Sequence, residues 1–478
     1  AGPLDLPVPA AAGTALRFPG KAVALPGGSA LPDGDGLLVS DSAHHSIVEL
    51  AGDAQTVRRR IGSGARGRAD GPAGTAQFSE PQGLCRLPDH VAGIAGYDLL
   101  VADTGNHLLR GIRLTGTGDG GEPEVRTVAG TGRPWRGRAG QAFDQHPHDA
   151  YAADLSSPWD LAWFDGRVIV AMAGIHQLWW FDPVKRTVGM WAGTTVEGLR
   201  DGPVDEAWLA QPSGLSASPD GTRLWLVDSE TSALRWVADG QLHTAVGEGL
   251  FDFGHVDGPA AGALLQHPLG VAALPDGAVL VADTYNGAVR RYQDDVVSTV
   301  ASGLAEPSDL VVGADGTVLV VESAAHRVTR LPAGGAALEP AGRRMRTERP
   351  PTALAGEVRL EVVFTPAPGQ KLDESFGPAT RLEVTASPAG LLRDGAGSGT
   401  ELVRTLVLDP AAGPGVLQVV AQAATCDAGA AHPACHLVRQ DWGVPVTVEP
   451  DGATELPLTL LATSLDGPGR DHAPGNTG

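Results

Sequence analysis

Residues 265–293 have the sequence LQHPLGVAALPDGAVLVADTYNGAVRRYQ, in which short apolar runs alternate with turns. The runs are Gly270–Leu274, Ala278–Ala282 and Ala288–Tyr292. Asp276-Gly277 favours a tight hairpin because glycine adopts a positive φ without steric cost, and Asp283 and Asn286 can bond the backbone of the second turn. The stretch therefore predicts a small antiparallel sheet with two apolar faces, which only neighbours of the same kind can cover.

The pattern occurs in six copies along the chain, each with a proline at its start and a strand that ends in a turn. The prolines are Pro19, Pro81, Pro158, Pro212, Pro268 and Pro307. The strand-ending residues are Asp41, Asp103, Met172, Asp228, Asp283 and Glu322. All but Met172 are acidic, and we expect these carboxylates to bond the backbone of their turns. The copies average about 52 residues, which predicts a six-bladed β-propeller of four-stranded blades.

The segments between copies contain two further elements. Short β-favouring runs predict the fourth strands at Gln55–Ile61, Glu124–Ala129, Thr187–Ala192, Gln241–Val246 and Val296–Ala301. Asp-Gly-Pro occurs at residues 70–72, 201–203 and 257–259, where it predicts turns on one rim. The last copy lacks a fourth strand of its own, and we expect residues 14–18 or a segment near 336–340 to supply it.

These residues resemble the NHL repeat, whose pattern is Pro-x-Gly/Asp, an apolar-Val-Ala-Asp-x-x-Asn strand and turn, and a mixed charged and apolar strand. The resemblance covers residues 18–332. The Asp-Gly-Pro insertions are similar to those of a subgroup in which a thioredoxin-like domain precedes the propeller and a small β-domain follows it. Residues 1–17 are too few for that domain and contain no Cys-x-x-Cys, so we expect it to be trimmed or absent.

The predicted fold class is all-β. An N-terminal tail or linker at residues 1–17 precedes a six-bladed NHL propeller at 18–340, and a linker at 341–353 leads to a small β-sandwich. The sandwich is expected at residues 354–463, where strand-like runs alternate apolar and polar residues. The Gly- and Pro-rich end, residues 464–478, is expected to be disordered.

Net charge limits the partners that the chain can bind. The sequence has 35 Lys and Arg against 56 Asp and Glu, a formal net charge of −21. This balance disfavours nucleic acids and anionic membrane surfaces, because phosphate binding needs clustered cations. There is no apolar run long enough to cross a bilayer and no visible signal peptide, so a cytoplasmic location is expected.

The resemblance also implies a possible catalytic site, since six-bladed relatives include lactonases, lyases and hydrolases with a metal at the central axis. Such a site needs His, Asp, Glu or Asn side chains converging from several blades. The corner residues expected to face the axis are Lys21, Gln82, Trp159, Asp160, Ser213, Leu269, Ser308 and Asp309. Two carboxylates with a lysine and no histidine are a poor metal set, so neither a metal nor a cofactor is predicted.

The favoured interpretation is therefore a non-catalytic binding scaffold that recognises a protein or small ligand on one propeller face. The alternative is a metal-dependent enzyme of the lactonase, lyase or hydrolase kind acting at the axis. Candidate partners include a thioredoxin-fold protein, as the resemblance implies. The candidate binding residues are Lys21, Gln82, Trp159, Asp160, Ser213, Asp309 and, in the insertion at 130–154, Trp135.

Three cysteines complete the candidate residues. Cys85 lies in the inner run of the second copy, where an isolated cysteine is usually a small buried hydrophobe. Cys426 and Cys435 flank a predicted hairpin loop, and three alternatives stay open: a redox-active pair, a structural disulfide and two unpaired thiols. A bond would stabilise the fold by roughly 2–3 kcal/mol in the chain-entropy model. The pair, followed by Trp442–Val446, is similar to immunoglobulin-like domains that receive electrons from thioredoxin-fold partners.

Overall fold

The computed structural model describes most of the chain, and it divides into two compact units, residues 1–347 and 348–478. The described residues are 15–25, 36–114, 121–135, 144, 146–250, 252–313, 316–331, 343–346, 351–366, 369–372, 378–387, 389–427 and 435–461. Most of the predicted N-terminal tail and all of the predicted C-terminal tail lie outside them. Within the described ranges, no helix is long and apolar enough to cross a membrane.

Six antiparallel sheets of the first unit are blades, which confirms the predicted six-bladed propeller, and a seventh described sheet has only two strands. The strands of blade one are Pro19–Ala24, Leu37–Asp41, Ser46–Leu50 and Val57–Ile61, and those of blade two are Leu84–Arg86, Leu99–Asp103, Leu108–Arg113 and Glu124–Ala129. Blade three has Pro158–Phe164, Arg167–Met172, Gln177–Asp182 and Thr187–Ala192, and blade four has Pro212–Ala217, Leu224–Asp228, Ala233–Ala238 and Gln241–Val246. Blade five has Gly270–Ala273, Val279–Asp283, Ala288–Gln293 and Val296–Ala301, and blade six has Pro307–Val312, Val318–Glu322 and Arg327–Arg330.

Smaller elements join these sheets. Blades two to five each gain a two-residue strand at the outer edge, which pairs with the fourth strand of its blade; these are Gly71–Pro72, His148–Asp149, Gly202–Pro203 and Gly258–Pro259. The Asp-Gly-Pro segments predicted as turns therefore also extend the sheets. Arg343–Arg346, inside the predicted linker, pairs antiparallel with Asp252–His255. The described helices are the α-helix Asp89–Ala95 and short 3-10 turns at Ser42–His44, Thr104–Asn106, Ala173–Ile175, Ala260–Gly262, Thr284–Asn286, Ala389–Leu391 and Pro410–Ala412.

Neighbouring blades bury their apolar faces against each other. The first strands lie side by side in chain order, and the first strand of blade six contacts that of blade one, so the ring is closed. A separate apolar cluster fills each of the six interfaces between adjacent blades. The interface between blades six and one, for example, contains Val39 and Val48 from one side and Val321 and Val328 from the other.

The closing interface differs from the prediction. Residues 15–18 form no strand, because Phe18 has a left-handed φ of 45° that an extended strand cannot contain. Leu16 is instead buried between blades six and one, and the Phe18 amide donates to Nδ1 of His326 at 3.1 Å. The expected strand from residues 14–18 is therefore wrong for the described part of that segment. The alternative segment near 336–340 lies outside the described residues.

A buried arginine ties together the turn and the outer strand in blades two, four and five. Arg110 contacts Asp103 at 2.8 Å and Asp70, the acid of the first Asp-Gly-Pro, at 2.7 Å. The equivalent trios are Asp228, Arg235, Asp201 and Asp283, Arg290, Asp257. Burial raises the pKa of each turn aspartate, which the arginine charge opposes. The turn carboxylates do bond backbone amides, but these amides belong to Ser79, Ala210 and Gln266, which lie before the first strand of each blade and not in the turn as predicted. Each carboxylate is also a buried charge that needs its arginine.

Blade three replaces this ionic trio with apolar side chains. Met172 takes the place of the turn aspartate, and Trp179, seven residues later, takes the place of the arginine. Met190 occupies the position of the threonine, such as Thr127 in blade two, that bonds the outer aspartate. All three substituted residues are buried in the cluster between blades two and three. The changes occur together because a lone arginine or aspartate at these positions would be a buried, unpaired charge.

Histidine side chains form hydrogen bonds between neighbouring blades at the rim. His45, His107, His176 and His326 each follow the turn after the second strand, with φ between 50° and 57°. Their Nδ1 atoms accept the amide hydrogen of the residue before the proline of a neighbouring blade, at 3.0–3.2 Å. An Nδ1 acceptor requires a neutral ring, and burial lowers the pKa of His107, which keeps that ring neutral. These turn histidines are therefore structural.

The second unit forms one mixed sheet that curls into a half-barrel, where the sequence predicted two facing sheets of a sandwich. Its described strands are Thr352–Thr365, Gln370–Leu372, Thr380–Ser387, Leu392–Asp394, Gly397–Gly399, Val403–Leu408, Gly415–Asp427, Cys435–Val448 and Ala453–Leu461. The last strand pairs parallel with the first, which alternation of polar and apolar residues cannot reveal. Leu360, Leu382, Leu406 and Leu417 are fully buried in its apolar core.

Replacing Arg235 with Met tests the ionic trio of blade four. We expect a loss of roughly 3–5 kcal/mol in the free energy of unfolding, because Asp228 would remain buried without its cation. The double variant Asp228→Met/Arg235→Met, which copies the apolar solution of blade three, should lose less than the single variant. Chemical denaturation measures both. The exposed Arg330→Met is the control, and equal stability of Arg235→Met and Arg330→Met would contradict the assignment.

Candidate functional site at the propeller axis

The site predicted at the axis is built from one position of the repeat, two residues after each proline. This position holds Lys21, Gly83, Asp160, Gly214, Gly270 and Asp309 in blades one to six. The three glycines are required by close approach of the neighbouring blade. A Cβ on Gly83 would lie 2.5 Å from the Cα of Asp160, and one on Gly270 would lie 2.7 Å from the Cα of Asp309. Because three of the six positions are glycine, space remains at the axis for the charged side chains of the other three.

Lys21, Asp160 and Asp309 meet at the axis although they come from blades one, three and six. The Nζ atom of Lys21 lies 3.2 Å from Oδ2 of Asp160 and 3.8 Å from Oδ1 of Asp309. It also donates to the carbonyl oxygen of Leu269 in blade five. Lys21 is only 2% exposed, so its charge depends on these partners rather than on water.

Both carboxylates also bind backbone amides across blade boundaries. Oδ1 of Asp160 accepts from the amide of Leu161 at 2.8 Å, and Oδ2 accepts from Leu215 in blade four at 2.9 Å. Oδ2 of Asp309 accepts from the amide of Ala22 in blade one at 2.8 Å. The axial carboxylates therefore join blade three to blade four and blade six to blade one.

Opposing effects set the ionisation of these acids. Burial raises the pKa of Asp160 and of Asp309, the latter to about 6. The Lys21 ammonium opposes both shifts, while the charge of Asp160 adds to the rise at Asp309. The ammonium is therefore the counter-charge that both buried carboxylates share.

The other predicted axial residues make mainly structural contacts. Gln82 lies so close to Gly20 that a Cβ there would be 2.1 Å from Oε1. The Trp159 carbonyl accepts from the Gly83 amide at 2.9 Å. The Ser213 hydroxyl donates to the Gln211 carbonyl at 2.8 Å, and that of Ser308 donates to Gly20 at 2.7 Å. These contacts hold the backbone near the axis in place.

Trp135 does not belong to the axial site. It packs against the cluster between blades two and three, where its ring meets that of Trp179 edge-on at 6.1 Å. Residues 136–143 of the same insertion lie outside the described residues. The sequence placed Trp135 in the insertion at 130–154 as a candidate partner contact, and that binding role stays a prediction.

No three His, Cys, Asp or Glu side chains of the described residues form a group suited to a metal. The chemistry of the axial donors gives a physical reason, because the lysine ammonium occupies the space between the two available carboxylates. A cation there would have to displace the ammonium. The residues present therefore do not fit the axial metal of the alternative hypothesis.

The comparisons agree with the repeat pattern. The NHL repeat family matches residues 265–292. The chain is 33% identical to human NHL repeat-containing protein 2 over 335 residues, which cover 60% of this chain and 43% of the human protein. The chain is an NHL-repeat β-propeller protein. This NHL-repeat protein is also 31% identical to SUPPRESSOR OF QUENCHING 1, chloroplastic, of Arabidopsis thaliana, over 66% of this chain and 30% of the plant protein.

The NHL-repeat chain thus spans less than half the length of these curated relatives. Among solved structures it is similar to virginiamycin B lyase from Staphylococcus aureus, with a TM-score of 0.38 and 10% identity. That match covers 66% of this chain and 82% of the lyase.

Sequence reasoning missed the buried arginines and the turn histidines of the NHL-repeat propeller. A signal for the arginines was present, since Arg110, Arg235 and Arg290 each follow the turn aspartate of their blade by seven residues. The histidines were interpreted only as turn residues, because the amide that each one binds belongs to a distant part of the sequence.

Replacing Lys21 with Met tests the axial cluster. We expect a loss of roughly 3–5 kcal/mol in stability at pH 7.5, because two buried carboxylates would lose their counter-charge. Their folded pKa values would then rise further above the unfolded values. The loss should therefore be full at high pH and shrink as pH falls through the folded pKa values, when the acids take up protons.

The matched control is Lys185→Met, since Lys185 is exposed and pairs with Asp182 at the surface. That variant should change stability by less than about 1 kcal/mol. Thermal unfolding of both variants between pH 5 and pH 8 provides the measurement. A Lys21→Met protein that is as stable as the control at every pH would show that the cluster does not hold the ring.

Proposed function

We propose that this protein is a non-catalytic binding propeller, whose axis is structural and whose partners bind its outer surfaces. The observation that carries the proposal is the closed set of charges at the axis. Lys21, Asp160 and Asp309 pair with one another and with backbone groups of other blades. A catalytic centre would instead need polar groups free to meet a substrate.

The partner that we propose is a protein or a small ligand. A net charge of −21 supports this class over nucleic acids, since a duplex would be repelled by most of the surface. The insertions between blades give the rim surfaces that differ from blade to blade, and these are where recognition can be specific.

Metal analysis separates this proposal from the enzyme alternative. The purified chain would be incubated with Zn²⁺, Ca²⁺, Mg²⁺ or Mn²⁺, desalted, and measured by mass spectrometry of the elements. We expect far less than one retained ion per chain. A stoichiometric ion that is lost in Asp160→Asn but retained in Asp165→Asn would overturn the proposal, since Asp165 lies in an exposed turn between the first two strands of blade three.

A thiol–disulfide role of the C-terminal unit is a second candidate, and one observation favours it. Cys426 is disulfide-bonded, and the strand register places Cys435 directly opposite it. Cys85, in contrast, is a free buried cysteine, and burial raises the pKa of its thiol to about 12. Cys426 is 4% exposed, so a small reductant has little access to its sulfur in the folded protein.

Reduction kinetics test the second candidate. If the bond exchanges in function, a thioredoxin-fold reductant should open it in the folded protein faster than the chain unfolds, because binding of that protein would open the hairpin around the buried Cys426, which dithiothreitol cannot do. Maleimide labelling and mass measurement count the new thiols, and the Cys85→Ala variant removes the unrelated one. Reduction by both reagents only at the rate of unfolding would leave the bond a structural clamp.

A further inference from the structure

A cleft lies at the outer edge of the propeller between blades two and three, apart from the axis. It is lined by Tyr97 and Arg126 from blade two and by Tyr151 and Arg186 from the blade-three side, with apolar walls that include Val128 and Pro183. The space enclosed within the cleft is about 20 Å³. Since this is close to the size of a water molecule, only one small polar group can enter, and the rest of a ligand must stay at the mouth.

The local backbone fixes each polar residue of this cleft. Tyr97 follows the helix Asp89–Ala95, which ends at Gly96 with a left-handed φ of 79°. Arg126 lies on the fourth strand of blade two, and its guanidinium donates to the Ala95 carbonyl at 2.6 Å while lying 5.1 Å from the centre of the Tyr97 ring.

The blade-three side is held by a turn. The Arg186 amide donates to the Asp182 carbonyl at 2.8 Å, and the Arg186 carbonyl accepts from the Ala150 amide at 3.0 Å. Ala150 directly precedes Tyr151, whose amide donates to a carboxylate oxygen of Asp149 at 2.8 Å. These bonds fix the backbone on the blade-three side of the cleft.

Tyr97 is the unusual member of the cleft. Its hydroxyl oxygen is closed off from solvent, and yet it has no hydrogen-bond partner among the described residues. A ligand in the cleft therefore meets this hydroxyl only after a side chain of the cleft moves. A buried hydroxyl without a partner is uncommon and costs free energy, because it gave up water on folding. Burial also raises the pKa of Tyr97, so the phenol keeps its proton at neutral pH and remains a donor.

The charges around this phenol are cationic. Arg126 and Arg186 are exposed, and in the described part of the chain neither forms an ion pair. The charges of both guanidiniums lower the pKa of the Tyr97 phenol, whereas Tyr151 and Asp182 raise it. Asp182 already accepts the amide of Lys185 at 2.9 Å and pairs with its ammonium at 3.3 Å. A donor hydroxyl and two unpaired guanidiniums thus share one cleft on an acidic protein.

We propose that this cleft binds an oxyanion, the carboxylate or phosphate group of a small ligand, through the Tyr97 hydroxyl and the guanidiniums of Arg126 and Arg186. The inference deepens the proposed binding function by naming the ligand chemistry. Charged hydrogen bonds to guanidinium and phenol groups suit either anion. The small volume limits the site to the anionic group itself, with the rest of the ligand outside the mouth.

Titration with inorganic phosphate and with acetate tests the site in the full chain, by calorimetry at constant ionic strength. We expect saturable binding of at least one anion to the wild type. Tyr97→Phe should weaken it about tenfold, because it removes a hydrogen bond to a charged group. Arg186→Gln should weaken it by a similar factor. Arg113→Gln, an exposed residue of the same blade, should leave the affinity within about twofold.

Tyr97→Phe should fold at least as stably as the wild type, since it removes only the unpaired hydroxyl, and thermal unfolding without ligand checks this. Binding of one anion and not the other supports the site and fixes its chemistry. Absence of binding by both anions, or equal affinity in wild type, Tyr97→Phe and Arg186→Gln, would overturn the inference. Either result would leave the axial metal test of the proposed function unaffected.

Discussion

Burial of both faces of every blade is the constraint on which the propeller depends. A twisted four-stranded sheet has two apolar faces, and exposing either one to water is unfavourable. A row of such sheets would leave its end faces bare, whereas a ring has no ends. The six clusters between adjacent blades, including the one between blades six and one, show that this chain uses the ring.

The packing of the blades leaves little space for buried polar side chains in this ring. Lys21, Asp160 and Asp309 share a space so crowded that three other blades have glycine at the same position. Blade three shows that the rim charges can be exchanged for apolar side chains when all of them change together. The same exchange places Met190 and Trp179 in the apolar cluster between blades two and three, with Trp135 packed against it, so this interface is unlike the others.

Much of the propeller was predictable because its repeat is local. The strands, their turns and the six copies follow from residues close together in sequence, as in 265–293. The contacts that close the ring were not, because Leu16 enters the interface from a segment without strand structure and the Phe18 amide binds His326, which is distant in sequence. The sequence predicted that Lys21 and Asp309 both face the axis, but not that they form an ion pair. Tyr97 and Arg186 come from different repeats, and no spacing in the sequence indicates that they share a cleft. The parallel pairing in the C-terminal sheet was equally nonlocal.

A crystal structure of the full chain tests the central claim most directly. The expected result is six sheets in a ring in chain order, with blade six against blade one and the Lys21 ammonium between the carboxylates of Asp160 and Asp309. A different number of blades, an open ring, or an axis in which Lys21 points away and a metal ion holds the two carboxylates would contradict it.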